Sequence, residues 1–374
     1  MSRAGRRAGA PGAFGAAAGS ALAARDPDAL SGERIPISRI LSGTVNLSNV
    51  RALLIINPRA TAMSGRDAGL VVRELGSRLE LETAQTQYRG HARELAAASA
   101  AQGYDLIVTF GGDGTVNEVV NGLMNARVPD YSGPPCAPPE APEPATATRR
   151  PAIAPIPGGG ANVFARTLGV PQEPSAAVRR LLAAVESGTR RTIGLGLAGD
   201  RYFTFSAGLG VDAEVVADVE RWRASGRRAS LMLYLRTALR RYYITDRRFP
   251  ALTLDAAGHP PVTSLFMGVV TNSSPWTYLG RHPVRPAPHA DFNSGLDVFA
   301  LRRLRTLTTL AALGHMMDNN TQLPSGRDVV SAAALTEVTF RADRPIAFHI
   351  DGEYLGETEG VEFRFVPDAL RVVG

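Results

Sequence analysis

The strongest constraint on the fold is an apolar segment that runs directly into a glycine turn and a helix-like pattern. Residues 104–110 read YDLIVTF, and residues 111–122 read GGDGTVNEVVNG. A short apolar run of this kind suits a strand buried on both faces of a parallel sheet, and glycines let the backbone turn sharply beside a ligand. The following helix, with Thr115 as its expected cap, would direct free N–H groups and its positive dipole end at an anion. The segment therefore predicts a phosphate-binding turn.

The polar residues after the glycines distinguish this site from an ordinary strand-turn-helix connection. Asp113 comes at the end of the strand, and Asn117 and Glu118 fall on the opening turns of the helix. Amide and carboxylate side chains are poor core residues but good hydrogen-bonding partners for ribose, phosphate or metal-bound water. The pattern favours a nucleotide site over a purely structural turn.

A repeated order of strand and helix patterns surrounds this turn. Apolar runs at residues 51–58, 79–86 and 152–156 alternate with helix-like segments at residues 67–78 and 90–103. Such alternation predicts a doubly wound parallel sheet of the α/β class. We expect a nucleotide-binding domain over residues 49–190.

Two segments depart from this alternation. Residues 1–48 are rich in Ala, Gly and Arg, which predicts a disordered basic tail rather than a cleaved targeting signal. Residues 129–151 are rich in proline, so they form neither a helix nor a central strand. We expect the second segment to be a solvent-exposed insertion in the nucleotide-binding domain.

The pattern changes beyond residue 191 to short strands separated by turns. The strands are predicted at residues 192–197, 202–209, 252–254, 264–271, 296–301, 334–341, 346–350 and 361–365. This spacing predicts an antiparallel β-rich sandwich domain over residues 191–374. Its last residues are candidates to return to the first domain, and the substrate is expected between the two domains.

Composition narrows the classes of function. All 41 basic residues are arginine, which excludes a P-loop lysine or a Schiff-base lysine, so a phosphate clamp must use arginine, backbone N–H groups or metal. The net charge of +6 suits anionic partners. The single cysteine, Cys136, excludes an internal disulfide and favours a cytoplasmic location. No apolar stretch approaches the length of about 18 residues that spans a bilayer, so we expect membrane contact to be peripheral.

The glycine turn and its helix resemble the nucleotide-binding signature of the diacylglycerol kinase catalytic family, which includes bacterial lipid kinases and the sphingosine and ceramide kinases. Further segments are similar to motifs of that family in the same order. They are NPRATAMSG at residues 57–65, PGGGANVFARTLGVP at residues 157–171 and HIDGEYLGE at residues 349–357. The resemblance extends over residues 51–374.

The resemblance implies a kinase that uses ATP and Mg²⁺ and phosphorylates a lipid. Glu353 would accept the proton of the acceptor hydroxyl, with Asp351 as the second candidate, and Asp113 would organise the Mg²⁺ through water. Asp212 would bind the lipid headgroup. The nucleotide would be held by Asn57, Pro58, Thr61, Thr86, Gly111, Gly112, Asp113, Gly114, Thr115, Asn117, Glu118, Gly158, Gly159, Gly160 and Asn162.

Structural alternatives remain for two of these carboxylates. Asp212 precedes a helix-like segment, where a negative charge also complements the helix dipole. Asp351 and Gly352 form a dipeptide that hairpin turns favour on their own account.

Three positions depart from the family's pattern. Gly160 stands where the family has threonine or serine, and Val163 stands where it has aspartate. Ser294 replaces the aspartate of a loop that binds a structural metal in some relatives, and Asp291 and Asp297 are candidate replacements for it.

The functions compatible with these motifs differ mainly in the acceptor. Phosphorylation of diacylglycerol to phosphatidate, a step of phospholipid biosynthesis, is the first expectation. The alternatives are a kinase for a sphingoid base or another lipid alcohol, an NAD kinase, and a non-catalytic nucleotide or lipid sensor.

The sequence indicates less about binding partners than about the reaction. The basic stretch at residues 221–248 either lies on an anionic membrane or packs its leucines on the β-rich domain. No nucleic-acid-binding motif accompanies the arginines, so no nucleic-acid partner is expected. A homodimer is compatible with the sequence, which does not specify the oligomeric state.

Overall fold

The computed structural model describes residues 46–124, 150–224, 231–245, 249–318 and 322–374. Nearly all of the predicted tail at residues 1–48 and of the proline-rich insertion at residues 129–151, including Cys136, therefore lies outside the described residues. The described chain begins with a short 3-10 turn, Leu47–Asn49, whose N-cap is Asn46.

The first part of the chain alternates strands and helices. In chain order these are β1 (Arg51–Ile56), α1 (Gly65–Gly76), β2 (Glu80–Gln85), α2 (His91–Ser99), β3 (Leu106–Gly111), α3 (Asp113–Leu123), β4 (Ala152–Pro157), α4 (Val163–Thr167) and α5 (Pro174–Glu186). The strands are parallel in the order β2-β1-β3-β4. This arrangement confirms the predicted doubly wound sheet.

The strand order places a crevice where the sequence predicts the site. The chain moves from β1 outward to β2 and then returns to the other side of β1 with β3. Ligands of doubly wound sheets bind beyond the carboxyl ends of the strands at such a reversal of direction. All six residues of β3 and of β4 are buried, because helices cover both faces of a parallel sheet.

The second part of the chain is mostly strand. Its elements are β5 (Arg191–Ala198), β6 (Arg201–Phe203), β7 (Ser206–Gly210), α6 (Val211–Ala224), α7 (Leu231–Ile244), β8 (Leu252–Ala256), β9 (Val262–Leu265), β10 (Met267–Thr271), β11 (Thr277–Leu279), β12 (His282–Val284), β13 (Leu296–Leu301), α8 (Thr306–Met317), β14 (Val329–Leu335), β15 (Glu337–Ile350) and β16 (Glu353–Val372).

Antiparallel pairing joins most of these strands in the order β14-β13-β10-β7-β15-β16. The predicted β-rich class is therefore confirmed. Several strand boundaries differ from the sequence prediction, for example at residues 264–271, which are divided between β9 and β10. The strand predicted at residues 202–209 is divided into β6 and β7, and the one predicted at residues 334–341 crosses the boundary between β14 and β15. A run of apolar residues does not reveal where pairing partners change.

The final strand connects the two parts of the sheet. Along most of its length β16 pairs with β15 and β5, but near its end Val372 pairs in parallel with Ile153 of β4. Val372 and Val373 are buried in the same apolar core as β1, β3 and β4. The parallel and antiparallel strands consequently form one continuous sheet.

Three helices, α6, α7 and α8, belong to the β-rich part of the chain. α6 contacts β7, β10, β15 and β16, and α7 packs against α6. None of the helices in the described part of the chain is both long and apolar enough to span a bilayer.

Candidate active site

The two glycine turns that follow β3 and β4 touch each other through their backbones. A Cβ atom on Gly159 would lie 2.6 Å from Cα of Gly112, and one on Gly158 would lie 3.1 Å from N of Gly111. The N–H of Gly158 also donates to the carbonyl of Gly111 at 2.8 Å. These glycines are therefore required for the turns to pack, in addition to any approach of a ligand.

Two glycines of the same motifs have room for a side chain. A Cβ on Gly160 would lie 3.7 Å from Oγ1 of Thr61, and one on Gly114 would meet nothing within 4 Å. Gly114 is also exposed at the start of α3. The first turn of this helix therefore opens towards the crevice, as a phosphate-binding helix N-terminus requires.

Asp113 ties the two turns together. Its Oδ2 accepts a hydrogen bond from the N–H of Val163 at 3.0 Å, and its Oδ1 accepts one from the N–H of Phe164 at 3.1 Å. Burial raises the pKa of this carboxyl to about 6 against the lowering effect of the two N–H donors, and the nearby Asp351 raises it further. Asp113 thus orients α4 as well as carrying a negative charge into the crevice.

The residues present fit a magnesium ion that arrives with a nucleotide. Across the described ranges no group of three or more His, Cys, Asp or Glu side chains is arranged to hold a metal ion. Mg²⁺ in kinases keeps several waters and takes one or two carboxylates plus the substrate phosphates. Asp113 would supply one such carboxylate, so the donor set suits a nucleotide-borne ion rather than a protein cage.

The loop after β1 is held against the GGDG turn. Asn57 donates from its backbone N–H to the carbonyl of Phe110 at 2.9 Å and from Nδ2 to Oγ1 of Thr115 at 3.1 Å. Thr115 therefore does not cap α3, as the sequence suggested, because the helix begins at Asp113 with Gly112 as its N-cap. Pro58 and Thr61 are exposed at the crevice side of this loop.

Asn162 closes the second glycine turn. It has a left-handed backbone conformation with φ of 49°, and its Oδ1 accepts from the N–H of Gly159 at 2.8 Å. Its Nδ2 donates to the carbonyl of the same glycine at 2.7 Å. Asparagine adopts this conformation more readily than most residues, which explains its presence immediately before α4.

Asn117 is enclosed by protein groups. Its side chain is 1% exposed, and its Nδ2 donates to Asp351 at 2.8 Å and to the carbonyl of Tyr202 at 3.0 Å. Its Oδ1 accepts from Arg201. It can reach a ligand only through these neighbours, so its role here is positioning.

Asp351 is likewise enclosed. Its two oxygens accept hydrogen bonds from the backbone N–H groups of Thr204, Phe205 and Ser206, as well as from the hydroxyl of Thr204. Burial raises the pKa of this carboxyl, although these donors oppose the shift. The second candidate for proton acceptor is thus an anchor for the DGE hairpin, because no lone pair remains directed at an open space.

Glu353 lies at the crevice between two arginines. Its Oε2 is 2.5 Å from Nη2 of Arg201, and its Oε1 forms an ion pair with Arg89. The side chain of Arg201 is 15% exposed, while that of Arg89 is 65% exposed. Arg201 also bridges to Asn117, so the hairpin glutamate is connected to the helix that starts at Asp113.

Glu118 and Thr86 border the same region. The two carboxylate oxygens of Glu118 accept from the N–H groups of Gly90 and Ala92, so Glu118 caps α2 in this structure. Its predicted contact with a nucleotide stays a prediction. Burial raises its pKa against the effect of the Gly90 N–H, and the nearby charge of Glu353 raises the pKa further. Thr86 follows β2, and its N–H donates to the carbonyl of Ile56.

Asp212 is paired with a histidine that the sequence analysis did not place in the site. Its Oδ2 lies 2.6 Å from Nε2 of His349, whose side chain is 2% exposed. Nδ1 of His349 has no hydrogen-bond partner among the described residues. Gly208 makes room for this pair, because a Cβ there would lie 2.1 Å from Asp212 and 2.4 Å from His349.

Asp291 and Asp297, the candidate metal ligands of the predicted loop, both contact neighbouring backbone. Asp291 closes a local turn with Asn293 and Ser294. Asp297 lies on β13, where its Oδ1 accepts from the N–H of Ala334 and its buried Oδ2 has no partner in the described chain. Burial raises the pKa of Asp297 to about 6.

Sequence reasoning did not identify Arg201, Arg89 or His349. Each contacts a motif residue that lies 137 to 264 positions away along the chain. One signal in the sequence pointed towards the arginines. Because the chain has no lysine, arginine must be used wherever a phosphate or a carboxylate needs a fixed cation.

A doubly wound sheet carries two glycine turns at the carboxyl ends of adjacent strands, and it is joined to an antiparallel domain that contributes an acidic hairpin. This is the arrangement expected of a phosphotransferase that uses a nucleotide. Comparisons with known proteins specify the family. A model described as the diacylglycerol kinase catalytic domain matches residues 51–195, and one described as the YegS C-terminal NAD kinase beta sandwich-like domain matches residues 206–374.

Individual relatives agree with these matches. A probable lipid kinase YegS-like from Chromohalobacter salexigens is 30% identical over 305 residues, which are 80% of this chain and 86% of that protein. A diacylglycerol kinase from Bacillus subtilis is 33% identical over 175 residues, 45% of this chain and 48% of that protein. A crystal structure of a putative diacylglycerol kinase from Bacillus anthracis shares the fold with a TM-score of 0.65 and 22% identity, covering 86% of this chain and 96% of its own.

The chain belongs to the lipid kinase family that combines a diacylglycerol kinase catalytic domain with a YegS-type C-terminal domain. This membership confirms the resemblance inferred from the motifs and makes the protein an ATP-dependent lipid kinase by class.

Proposed function

We propose that the protein transfers the γ-phosphate of ATP to the hydroxyl of diacylglycerol, producing phosphatidate, with Mg²⁺ carried by the nucleotide. The observation that carries the proposal is the chain of contacts from the GGDG helix to the DGE hairpin. Asn117, one turn after Asp113 on α3, accepts from Arg201, which in turn pairs with Glu353. The nucleotide motif and the acidic hairpin consequently share one crevice.

Each group then has a definite task. The N-terminus of α3 and the glycine turns receive the phosphates. Asp113 would hold a hydrated Mg²⁺, and the ion would neutralise the charge of the phosphates. Arg89 and Arg201 supply the fixed positive charge that lysine supplies in other kinases. Phosphoryl transfer asks mainly for positioning and charge neutralisation, so these groups contribute most of the catalysis.

Glu353 takes the proton of the acceptor alcohol late in the transfer, because an alkyl alcohol is too weak an acid to ionise first. Both of its oxygens are engaged by arginine in the structure. Binding of the γ-phosphate gives the arginines a second anion to contact, and this weakens their hold on the carboxylate. The base thereby becomes available when the donor is in place.

A cavity supports a lipid acceptor. It has a volume of about 250 Å³ and lies between α6, α7 and the sheet, with Val211, Ile244 and Leu252 among its lining residues. Val211 directly precedes Asp212, the predicted contact of the headgroup. Glu214, Arg241 and Arg344 line it as well, so the cavity combines apolar walls with charged groups. Such a lining suits a molecule with an acyl chain and a polar, hydroxyl-bearing end.

The test is a kinase assay with labelled ATP and dispersed diacylglycerol, a sphingoid base and NAD as separate acceptors. We expect label in diacylglycerol, and a loss of about 10²- to 10⁴-fold in kcat for Glu353→Ala and Asp113→Ala. Glu82→Ala, an exposed carboxylate on β2, is the matched control and should retain the wild-type rate.

Other outcomes identify the alternative functions. Label in the sphingoid base alone would mean that the acceptor is a sphingoid base and not diacylglycerol, with the same mechanism. Label in NAD alone would overturn the assignment of a lipid acceptor. Binding of ATP without phosphorylation of any acceptor would show a nucleotide sensor instead of a kinase.

A further inference from the structure

Large apolar side chains are exposed on two helices of the β-rich part of the chain. Leu239 is 58% exposed and Tyr243 is 67% exposed on α7, while Leu310 is 59% exposed on α8. Met232 on α7 and Leu313 and Met317 on α8 are exposed as well. Soluble monomers rarely expose apolar residues in such concentration unless the surface binds something.

Helical spacing aligns these residues into stripes. On α7, Met232, Leu239 and Tyr243 are exposed, whereas Thr237 is buried on the opposite side. On α8, Leu310, Leu313 and Met317 recur at intervals of three and four, and they are exposed, while Ala312 and Met316 are buried. Each helix therefore packs one face on the protein and presents an apolar stripe to the outside.

The two helices meet at their ends. The hydroxyl of Tyr242 donates to the carbonyl of Leu304 at 3.1 Å and lies 3.0 Å from Oγ1 of Thr306, the first residue of α8. Tyr242 also packs on the apolar cluster that contains Ala312 and Met316. We call the exposed residues Arg236, Leu239, Arg240, Tyr243, Leu310 and Leu313 the helix-pair surface.

Charge on the helix-pair surface has one sign. Neither α7, with the sequence LMLYLRTALRRYYI, nor α8, with the sequence TLTTLAALGHMM, contains a carboxylate. Arg236 and Arg240 are exposed between the apolar positions of α7. Beneath them, Arg221, Arg240 and Arg241 contact the carboxylate of Asp218, and Arg241 also pairs with Glu214. Three arginines therefore face two carboxylates there, and Arg236 adds a further positive charge on the exposed side of α7.

We propose that the helix-pair surface docks the protein on a bilayer that contains anionic phospholipid. Apolar side chains flanked by arginine, without acidic residues, are the composition of helices that lie in the plane of a membrane interface. A protein partner of ordinary surface composition would leave the arginines without matched carboxylates, whereas an anionic headgroup layer neutralises them all.

The cavity described above strengthens this choice of partner. Ile244 and Phe249 both line the cavity and are more than half exposed, so its opening lies next to the exposed end of α7. A lipid could pass from the bilayer into the cavity without crossing water. This link to catalysis rests on the proposed lipid kinase function, whereas docking itself is independent of it.

The experiment measures sedimentation of the full-length protein with vesicles, without nucleotide. Vesicles of phosphatidylcholine alone are compared with vesicles of phosphatidylcholine and phosphatidylglycerol in equal parts. We expect the protein to bind the anionic vesicles more tightly. Leu239→Glu combined with Leu313→Glu should weaken that binding by about tenfold or more, and Arg236→Gln and Arg240→Gln by about fivefold each.

Matched controls place the same changes elsewhere on the surface. Ala98→Glu on α2 and Arg73→Gln on α1 are exposed substitutions away from the helix pair, and they should bind vesicles as the wild type does. Circular dichroism of every variant establishes that it is folded. Equal binding of the double glutamate variant and the wild type would overturn the proposal.

Two further measurements distinguish membrane docking from a dimer interface and from catalysis. If sedimentation equilibrium shows a dimer that the double glutamate variant dissociates, the surface is an interface between two copies and the proposal fails. If vesicle binding depends on the helix pair but no lipid is phosphorylated, the docking surface stands and the kinase function fails. If lipid is phosphorylated but the substitutions leave vesicle binding unchanged, the kinase function stands and the docking surface fails.

Discussion

Nη2 of Arg201 lies 2.5 Å from Oε2 of Glu353, although the two residues are 152 positions apart in the chain. The same guanidinium donates to Oδ1 of Asn117 at 2.7 Å. One arginine therefore connects the helix of the GGDG motif with the hairpin of the DGE motif. We expect this residue to set the distance between the nucleotide and the proton acceptor.

Replacing Arg201 should consequently impair catalysis more than folding. Arg201→Ala leaves Glu353 and Asn117 without their shared donor, and we expect kcat to fall about 10²-fold or more. Arg201→Lys should restore part of that loss, because a lysine keeps the charge but not the forked geometry. Arg341→Ala removes an exposed ion pair with Asp255 and is the control. A variant that unfolds in circular dichroism spectra, or one with wild-type kcat, would contradict the role.

Arg89 should behave differently because its side chain is largely exposed. An exposed ion pair contributes about 0–1 kcal/mol, so Arg89→Ala should leave the free energy of unfolding nearly unchanged. If Arg89 moves to the γ-phosphate, the variant should have a higher KM for ATP and a reduced kcat. Denaturant titration and steady-state kinetics with varied ATP measure the two effects. A wild-type KM together with a wild-type kcat would exclude the phosphate contact.

Asp351 should be a stability residue. Its carboxylate accepts from three consecutive backbone N–H groups, and in Asp351→Asn the amide nitrogen would face some of those donors. We expect the free energy of unfolding to fall by about 2–4 kcal/mol. Asp343→Asn, an exposed carboxylate on β15, should change it by less than about 0.5 kcal/mol. Urea denaturation of both variants checks the difference, and equal stabilities would refute the anchoring role.

The two adjacent glycines of the second turn give a further contrast. Gly159→Ala places a Cβ 2.6 Å from the backbone of Gly112, so the turns must separate at a cost of about 1–3 kcal/mol. Gly160→Ala meets only Oγ1 of Thr61 at 3.7 Å and should be tolerated. The melting temperature and the ATP affinity of the Gly159→Ala and Gly160→Ala variants measure the difference. The opposite ranking would mean that the turns do not touch as described.

The pKa of Asp113 predicts opposite pH dependences for activity and stability. Because the carboxyl titrates with a pKa of about 6, kcat/KM should fall as the pH drops below about 6. The folded-state pKa is raised above its usual value of 3.8, so protonation favours the folded state. That contribution to stability is complete below pH 3.8 and is lost as the pH rises through about 6.

Asp113→Asn should remove both dependences. A pH–rate profile and melting temperatures over the same range compare the variant with the wild type. An acid limb of kcat/KM that stays near pH 6 in the variant would assign the titration to a group other than Asp113.

Local patterns predicted the architecture well. Residues 104–123 specified a strand, a glycine turn and a helix, and the structure places β3 and α3 there with boundaries shifted by about one or two residues. The prediction succeeded because a buried parallel strand and an amphipathic helix depend mainly on neighbouring residues. The cap assigned to Thr115 was wrong, since the helix already begins at Asp113 and Oγ1 of Thr115 accepts a hydrogen bond from Asn57 instead.

The sequence by itself determined the class of protein, because ordered motifs need only the right residues at the right spacing to be recognised. Tertiary structure alone decided which motif residues face the crevice and which form the hydrogen bonds that hold its parts together. Asn117, Glu118 and Asp351 are residue types that often bind ligands, yet each forms hydrogen bonds with partners from distant segments of the chain. Hydrogen bonds between residues far apart in the chain leave no local pattern, and so the pairing of Glu353 with Arg201 could be found only in the folded molecule.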